Sequence, residues 1–166
     1  ISPLTREYVY LVRVVWSEGD VQHVDRLLQQ GNGQANLTND GMVRTRNTAG
    51  KTSSPLLDFG KELHGAVEVA TCVWAGGNVP RSIRVRFGES VSEAMSTLAE
   101  YGATNDHAIR AFTMQLPWLG KNQTGDSAFR FVRIDLLDAE AELQLREVRT
   151  IFTYRDRSYL GSCNSS

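Results

Sequence analysis

The stretch Ala66-Val67-Glu68-Val69-Ala70-Thr71-Cys72-Val73-Trp74 decides the fold. Val67, Val69, Thr71 and Val73 fall on one side of an extended chain, and Glu68, Ala70, Cys72 and Trp74 on the other, as the two-residue period of a strand requires. Ile83, Val85 and Phe87 alternate in the same way with Arg84 and Arg86. A drier and a wetter face on each strand predicts antiparallel sheet. Outward from these two stretches, β-rich segments recur at 8–16, 42–46, 56–59, 109–116, 129–137 and 143–154. Short strands at fairly even spacing predict an all-β sandwich or barrel of one domain.

The segment 143–154 changes phase. Leu143 and Leu145 share a face, but the apolar set resumes at Val148 and runs through Thr150, Phe152 and Tyr154. One extra residue flips every later side chain, so a bulge near Arg146 and Glu147 is expected. Turns are marked by Gly31-Asn32-Gly33, Asn39-Asp40-Gly41, Gly76-Gly77-Asn78 and Gly120-Lys121-Asn122, of which Asn-Asp-Gly is the strongest hairpin signal. One helix is signalled. Ser90-Val91-Ser92-Glu93 is a capping box, and Val91, Ala94, Met95, Leu98 and Tyr101 follow at helical spacing until Gly102, predicting a helix over about 91–101. The segment 21–30 has Asp20 to cap it and Gly31 to end it, and fits helix or strand.

Of the 166 residues, 41% are apolar and 22% charged, with a net charge of −1. The basic residues are scattered, which argues against a nucleic-acid partner. No apolar run approaches the ~18–20 residues of a membrane-spanning helix, so no membrane partner is expected. Cys72 and Cys163 allow at most one disulfide, and two thiols are the simpler expectation. The opening Ile1-Ser2-Pro3 and the polar end at Ser166 read as those of a piece of a longer chain.

Catalytic motifs fail one by one. Ala49-Gly50-Lys51-Thr52 resembles the end of a phosphate loop, but Thr45 stands where the first glycine belongs. Gly31-Asn32-Gly33 meets Asn36 at the third glycine of a dinucleotide fingerprint. Gly88-Glu89-Ser90-Val91-Ser92 lacks the last glycine of a nucleophile elbow, and Ser90 is accounted for as a cap. His23, His64 and His107 are isolated, without metal-ligand spacing. No cofactor is expected; Glu89, Asn105 and Asp106 leave calcium open, although no regular ligand loop surrounds them. Glu89 and Glu93 form the most tempting carboxylate pair, yet Glu93 belongs to the capping box. Glu100, Asp135 and Asp138 read as solvated or salt-bridged surface.

Four stretches, taken in order, carry a resemblance: Leu56-Leu57-Asp58-Phe59-Gly60-Lys61-Glu62-Leu63-His64-Gly65, Arg84-Val85-Arg86-Phe87-Gly88-Glu89-Ser90, Thr104-Asn105-Asp106-His107-Ala108 and Phe129-Arg130-Phe131-Val132-Arg133-Ile134. Together they resemble the β-sandwich region that precedes the helical barrel of bacterial α-L-rhamnosidases, and Gly161-Ser162-Cys163 resembles the junction with that barrel. The resemblance runs from about Leu56 to Cys163. It implies an all-β, antiparallel β-sandwich of jelly-roll or galactose-binding-like kind with one short helix. It further implies an accessory domain of an inverting glycoside hydrolase that releases terminal α-L-rhamnose. The family's catalytic residues lie in the (α/α)6 barrel, so no catalytic residue carries over to this chain. The implied partners are that catalytic barrel in the same parent chain and a rhamnose-containing saccharide; the implied location is periplasmic or secreted.

The residues themselves add a candidate saccharide-binding or interdomain site. Asn105, Asp106, His107 and Arg110 gather polar donors and acceptors, Pro117-Trp118 offers an aromatic face, and Glu89 is a further candidate. Sugars need directional hydrogen bonds and a ring to pack against. Around it, Gly60 and Gly65 are expected to take backbone angles closed to side chains. Arg130 and Arg133 are expected on opposite faces, one paired with an acid such as Asp135 or Glu89 and the other in solvent. Three functions follow: an accessory rhamnosidase sandwich, with an exposed apolar patch near Trp118 or Trp74 where the barrel docks; an autonomous carbohydrate-binding module, with a concave polar and aromatic site; or a purely structural surface or adhesion sandwich.

Overall fold

A computed structural model describes residues 4–31, 42–72, 79–97 and 110–155, with residues 110 and 155 described by backbone alone. The described strands are β1 (Leu4–Tyr10), β2 (Arg13–Glu18), β3 (Asp20–Gln22), β4 (Val43–Arg46), β5 (Ser54–Thr71), β6 (Arg81–Gly88), β7 (Arg110–Leu116), β8 (Gly120–Gln123), β9 (Ser127–Leu136) and β10 (Glu142–Arg155). All their pairings are antiparallel. They hydrogen-bond in the order β3-β4-β10-β5-β9-β6-β7, with β1 on β10 and with β2 and β8 on β5. The architecture is an antiparallel β-sandwich with one short helix.

The two long strands make a sandwich out of this continuous sheet by changing partners along their length. The first part of β5 pairs with β2 and β9, and its last part with β10 and β8. Between Asp58 and Leu63 the register with β9 shifts, and Gly60 stands there at φ +80°, its N–H held by Asp58 Oδ1 at 2.7 Å. That is the left-handed region, which a glycine enters without steric cost. The sequence pattern showed two strands, 56–59 and 66–74, where one strand, β5, runs continuously from the first into the second as far as Thr71. Its last part is buried on both faces, with Glu68 at 8% exposure as well as Val67 and Val69 at 0%.

The bulge expected in the last strand is present: the β10–β5 register shifts between Leu145 and Glu147, so Arg146 is the extra residue. It keeps Leu143, Leu145 and Val148 all in the core. Phe59, Phe87 and Phe129 are the largest side chains there, with the Phe87 and Phe129 ring centres 4.7 Å apart.

Other expectations change in detail. Segment 8–16 is two strands, broken where Leu11 turns into the core and Val12 stays exposed, its N–H bonded to the Asp58 carbonyl. Segment 21–30 is the end of β3 followed by a 3-10 turn, Val24–Leu28, which anchors Leu27 in the core. Gly120-Lys121-Asn122 is not a turn but strand β8 against β5. The helix α1 is Val91–Met95, with both halves of the capping box formed. It ends earlier than its apolar spacing predicts because Ser96 is extended, and residues 98–101 lie outside the described residues. Cys72 is a buried thiol; Trp74, Cys163 and the 39–41 and 76–78 turns lie outside the described residues.

Candidate functional site

The described residues of the expected site do not lie together. Asn105, Asp106 and His107 lie outside the described residues, and of Arg110 only the backbone at the start of β7 is described. Arg110 pairs with Phe87, while Leu116 at the other end of β7 pairs with Arg81. Glu89 therefore lies at the Arg110 end and Trp118 at the far end, roughly 20 Å away at strand rise. No single sugar ring spans that distance. Trp118 is half-buried and packs against the main core, and Trp74, the other place where an exposed apolar patch was expected, lies outside the described residues. Glu89 is exposed, and its backbone N–H donates to Glu93 Oε2 at 2.8 Å.

Of the acids read as solvated or salt-bridged surface, Asp135 is instead the centre of a buried ion-pair cluster, Asp138 is half-buried and accepts from the Ser82 N–H at 2.6 Å, and Glu100 lies outside the described residues. Asp135 is 1% exposed. Its carboxylate accepts from Ser54 Oγ at 2.6 Å and from Arg133, Arg84 and Arg86 at 2.7, 3.1 and 3.1 Å. Burial pushes its pKa up, but Ser54 and the arginines outweigh burial and hold it below the ordinary value. Burial, against the attraction of Asp135, lowers the Arg86 pKa. Asp58 takes a two-pronged pair from Arg130 at 2.9 and 3.1 Å and a third bond from Arg13 at 2.8 Å. Its pKa is lowered, chiefly by the Arg130 hydrogen bond. So Arg133 pairs with Asp135 as expected, and Arg130, on the wetter side at 39% side-chain exposure, pairs with Asp58 as well. Gly65, expected to need a special backbone angle, is required for closeness instead: a Cβ there would lie 2.1 Å from the Ile151 carbonyl oxygen.

A surface with the mixture a saccharide needs lies elsewhere, on the layer formed by β1, β10, β5 and β8. Register puts Tyr10, Arg149, Glu68 and Gln123 in one rung and Tyr8, Ile151 and Ala66 in the next. Directly opposed residues share a face, and Val67, Val69 and Val148 on the other face are in the core. The face away from the core thus presents aromatic, acidic and amide groups together. Arg149, 4% exposed, donates to Glu68 Oε1 at 2.9 and 2.6 Å and lies 3.6 Å from the centre of the Tyr8 ring. Burial lowers its pKa, but Glu68, Tyr10 and Glu147 reverse this and leave it raised. Lys121 adds a second cation 3.7 Å from Glu68. A cleft of about 390 Å3 opens here, lined by Arg6, Glu7, Tyr8, Glu68, Gln123 and Ile151. Tyr8 remains 48% exposed, so one side of its ring is clamped by Arg149 while part of it stays open. Sequence reasoning placed Glu68 on a separate face from its apolar neighbours but missed Tyr8, Arg149 and Gln123. A charged residue flanked by Ala66 and Ala70 was the available signal; the pairing that assembles the rungs was not.

No protein-family model matches the chain, and no curated protein does. Solved structures do. A rhamnosidase from Klebsiella oxytoca with rhamnose bound matches with a TM-score of 0.64 at 14% identity, over 92% of this chain and 30% of that one. Reduced XRCC1 bound to the DNA polymerase beta catalytic domain matches with a TM-score of 0.55 at 15% identity, over 87% of this chain and 97% of that one. An f-lectin (fucolectin) from the serum of Morone saxatilis, the striped bass, matches with a TM-score of 0.53 at 15% identity, over 93% and 47%. At such identities the likeness fixes the fold, a galactose-binding-like β-sandwich of the kind that forms part of a rhamnosidase. The chain spans about a third of that rhamnosidase's length.

Proposed function

We propose that the chain is a saccharide-contacting accessory β-sandwich domain of an α-L-rhamnosidase-like glycoside hydrolase, which buttresses a catalytic helical barrel in the same parent chain. Two things support the rhamnosidase setting: the four sequence stretches, and the fold match to a rhamnosidase over 92% of the chain. The observation that carries saccharide contact is the Tyr8 cleft. There a partly open ring is held by a buried Arg149–Glu68 pair beside Gln123 and Arg6. Carboxylate, amide and guanidinium groups supply acceptors and donors for hydroxyls, and the ring packs against the C–H face of a sugar. An autonomous carbohydrate-binding module is the second reading, favoured by the fold it shares with a fucolectin.

Calorimetric titration of the chain with rhamnose-ended oligosaccharides tests the contact. Saturable binding is expected in the micromolar to millimolar range, and Tyr8→Ala is expected to weaken it roughly tenfold or more. Binding unaffected by Tyr8→Ala would move the site, and no binding to any saccharide would remove saccharide contact from the reading.

A further inference from the structure

We infer that a second pocket, around Gln144, binds the hydroxyl groups of a neutral saccharide. The pocket, of about 130 Å3, is lined by Gln22, His23, Arg26, Met42, Arg44 and Gln144. Gln22, Arg44 and Gln144 are a single rung across β3, β4 and β10. The inference rests on the saccharide reading above and adds a contact point remote from the Tyr8 cleft. Along β10 the Arg146 bulge and Glu147 separate the two, and Gly31 lies against Glu147.

Gln144 carries the argument. It is 2% exposed, and its Oε1 is buried without a hydrogen-bond partner. A buried, unpaired acceptor is costly and rare in a folded protein. The orientation of the amide follows from chemistry: its other end lies 3.1 Å from Glu142 Oε1, and a carboxylate accepts only, so that end is the NH2 donor. The same Glu142 oxygen holds Arg44 Nε at 3.3 Å, which fixes Arg44 beside it. The Arg26 guanidinium lines the same pocket and has no side-chain partner among the described residues. His23 enters the wall from a left-handed backbone conformation, φ 60°, that side chains seldom adopt.

Donors and an orphan acceptor together select the ligand. A carboxylate or phosphate could accept from Arg26 but would set its own lone pairs against Gln144 Oε1. A hydroxyl does both, accepting from a guanidinium and donating to Oε1. A pocket of this size admits one edge of a monosaccharide bearing neighbouring hydroxyls rather than a buried ring.

The test follows the side-chain amide of Gln144 and the Nε–H of Arg26 by nitrogen-edited NMR while methyl α-L-rhamnopyranoside, then sodium phosphate, is titrated into the chain. Saturable rhamnoside shifts are expected at both groups. They should weaken roughly tenfold in Arg26→Ala and persist in Tyr8→Ala. In Gln144→Leu the shifts at Arg26 should vanish. Should Gln144→Leu fail to fold, Arg26→Ala, on the half-buried 3-10 turn, decides alone. Rhamnoside shifts confined to the Tyr8 and Gln123 signals would overturn this inference and leave the Tyr8 reading standing. No shift anywhere would overturn both, and a stronger response to phosphate would overturn the assignment to hydroxyls.

Discussion

Three guanidinium groups converge on Asp135, and two of them, Arg86 and Arg133, have side chains only 9% and 14% exposed. Removing the carboxylate leaves like charges together away from water, the situation in which a broken buried pair is most costly. Asp135→Ala is expected to lower stability by about 3–5 kcal/mol in urea unfolding, and a loss under 1 kcal/mol would show that the arginines relax into solvent. Asp58 makes a different prediction because its partners Arg13 and Arg130 reach the surface, at 61% and 39% side-chain exposure. Its folded pKa lies below the ordinary 3.8. The stabilisation is then fully present above that value and is lost as pH falls through the folded pKa. Thermal unfolding of the native chain should therefore show a stability loss below about pH 4 that is shallower in Asp58→Asn. Equal slopes for the two proteins would contradict the pairing. At this scale sequence was a partial guide: Arg133, two residues from Asp135 on the same strand face, could be foreseen as its partner, but nothing local says that Arg84 and Arg86 meet it too.

Among the elements, the strands were legible and their joints were not. The Arg146 bulge could be foreseen because a phase change within a period-two pattern has one economical explanation. The capping box was equally local, Ser90 and Glu93 satisfying each other's backbone N–H. By contrast, whether 56–59 and 66–74 are two strands or one depends on β9, β2 and β10 pairing with successive parts of it, which is a long-range matter. Gly60 and Gly65 mark the distinction between backbone angle and closeness. Gly60→Ala should cost about 1–2 kcal/mol through its left-handed angle. Gly65→Ala should cost more, because the added carbon meets the backbone of β10, 2.1 Å from the Ile151 oxygen, and the two strands must part. Comparing the two variants by urea unfolding checks this, and the reverse order would refute the close packing of β5 on β10.

For the whole molecule, β5 and β10 tie the pairings together, since β5 alone bonds to β2, β8, β9 and β10. Six of the nine described strand pairings involve β5, β10 or both. Unfolding in urea followed by tryptophan fluorescence and by far-ultraviolet circular dichroism should therefore give coincident transitions. Separate midpoints would mean that the layers melt independently. The sequence by itself determined that this is an antiparallel β protein with one capped helix, because side-chain alternation and capping chemistry act over a few residues. It also showed the resemblance to rhamnosidase sandwiches. Only the tertiary structure decided where chemistry collects. It placed Arg110 and Trp118 at opposite ends of β7 and brought Tyr8, Glu68, Gln123 and Arg149 onto one face, with Gln22, Arg44 and Gln144 on another rung. The reason is register: which residues stand side by side in a sheet is fixed by cross-strand pairing between segments scores of residues apart, and no local pattern encodes it.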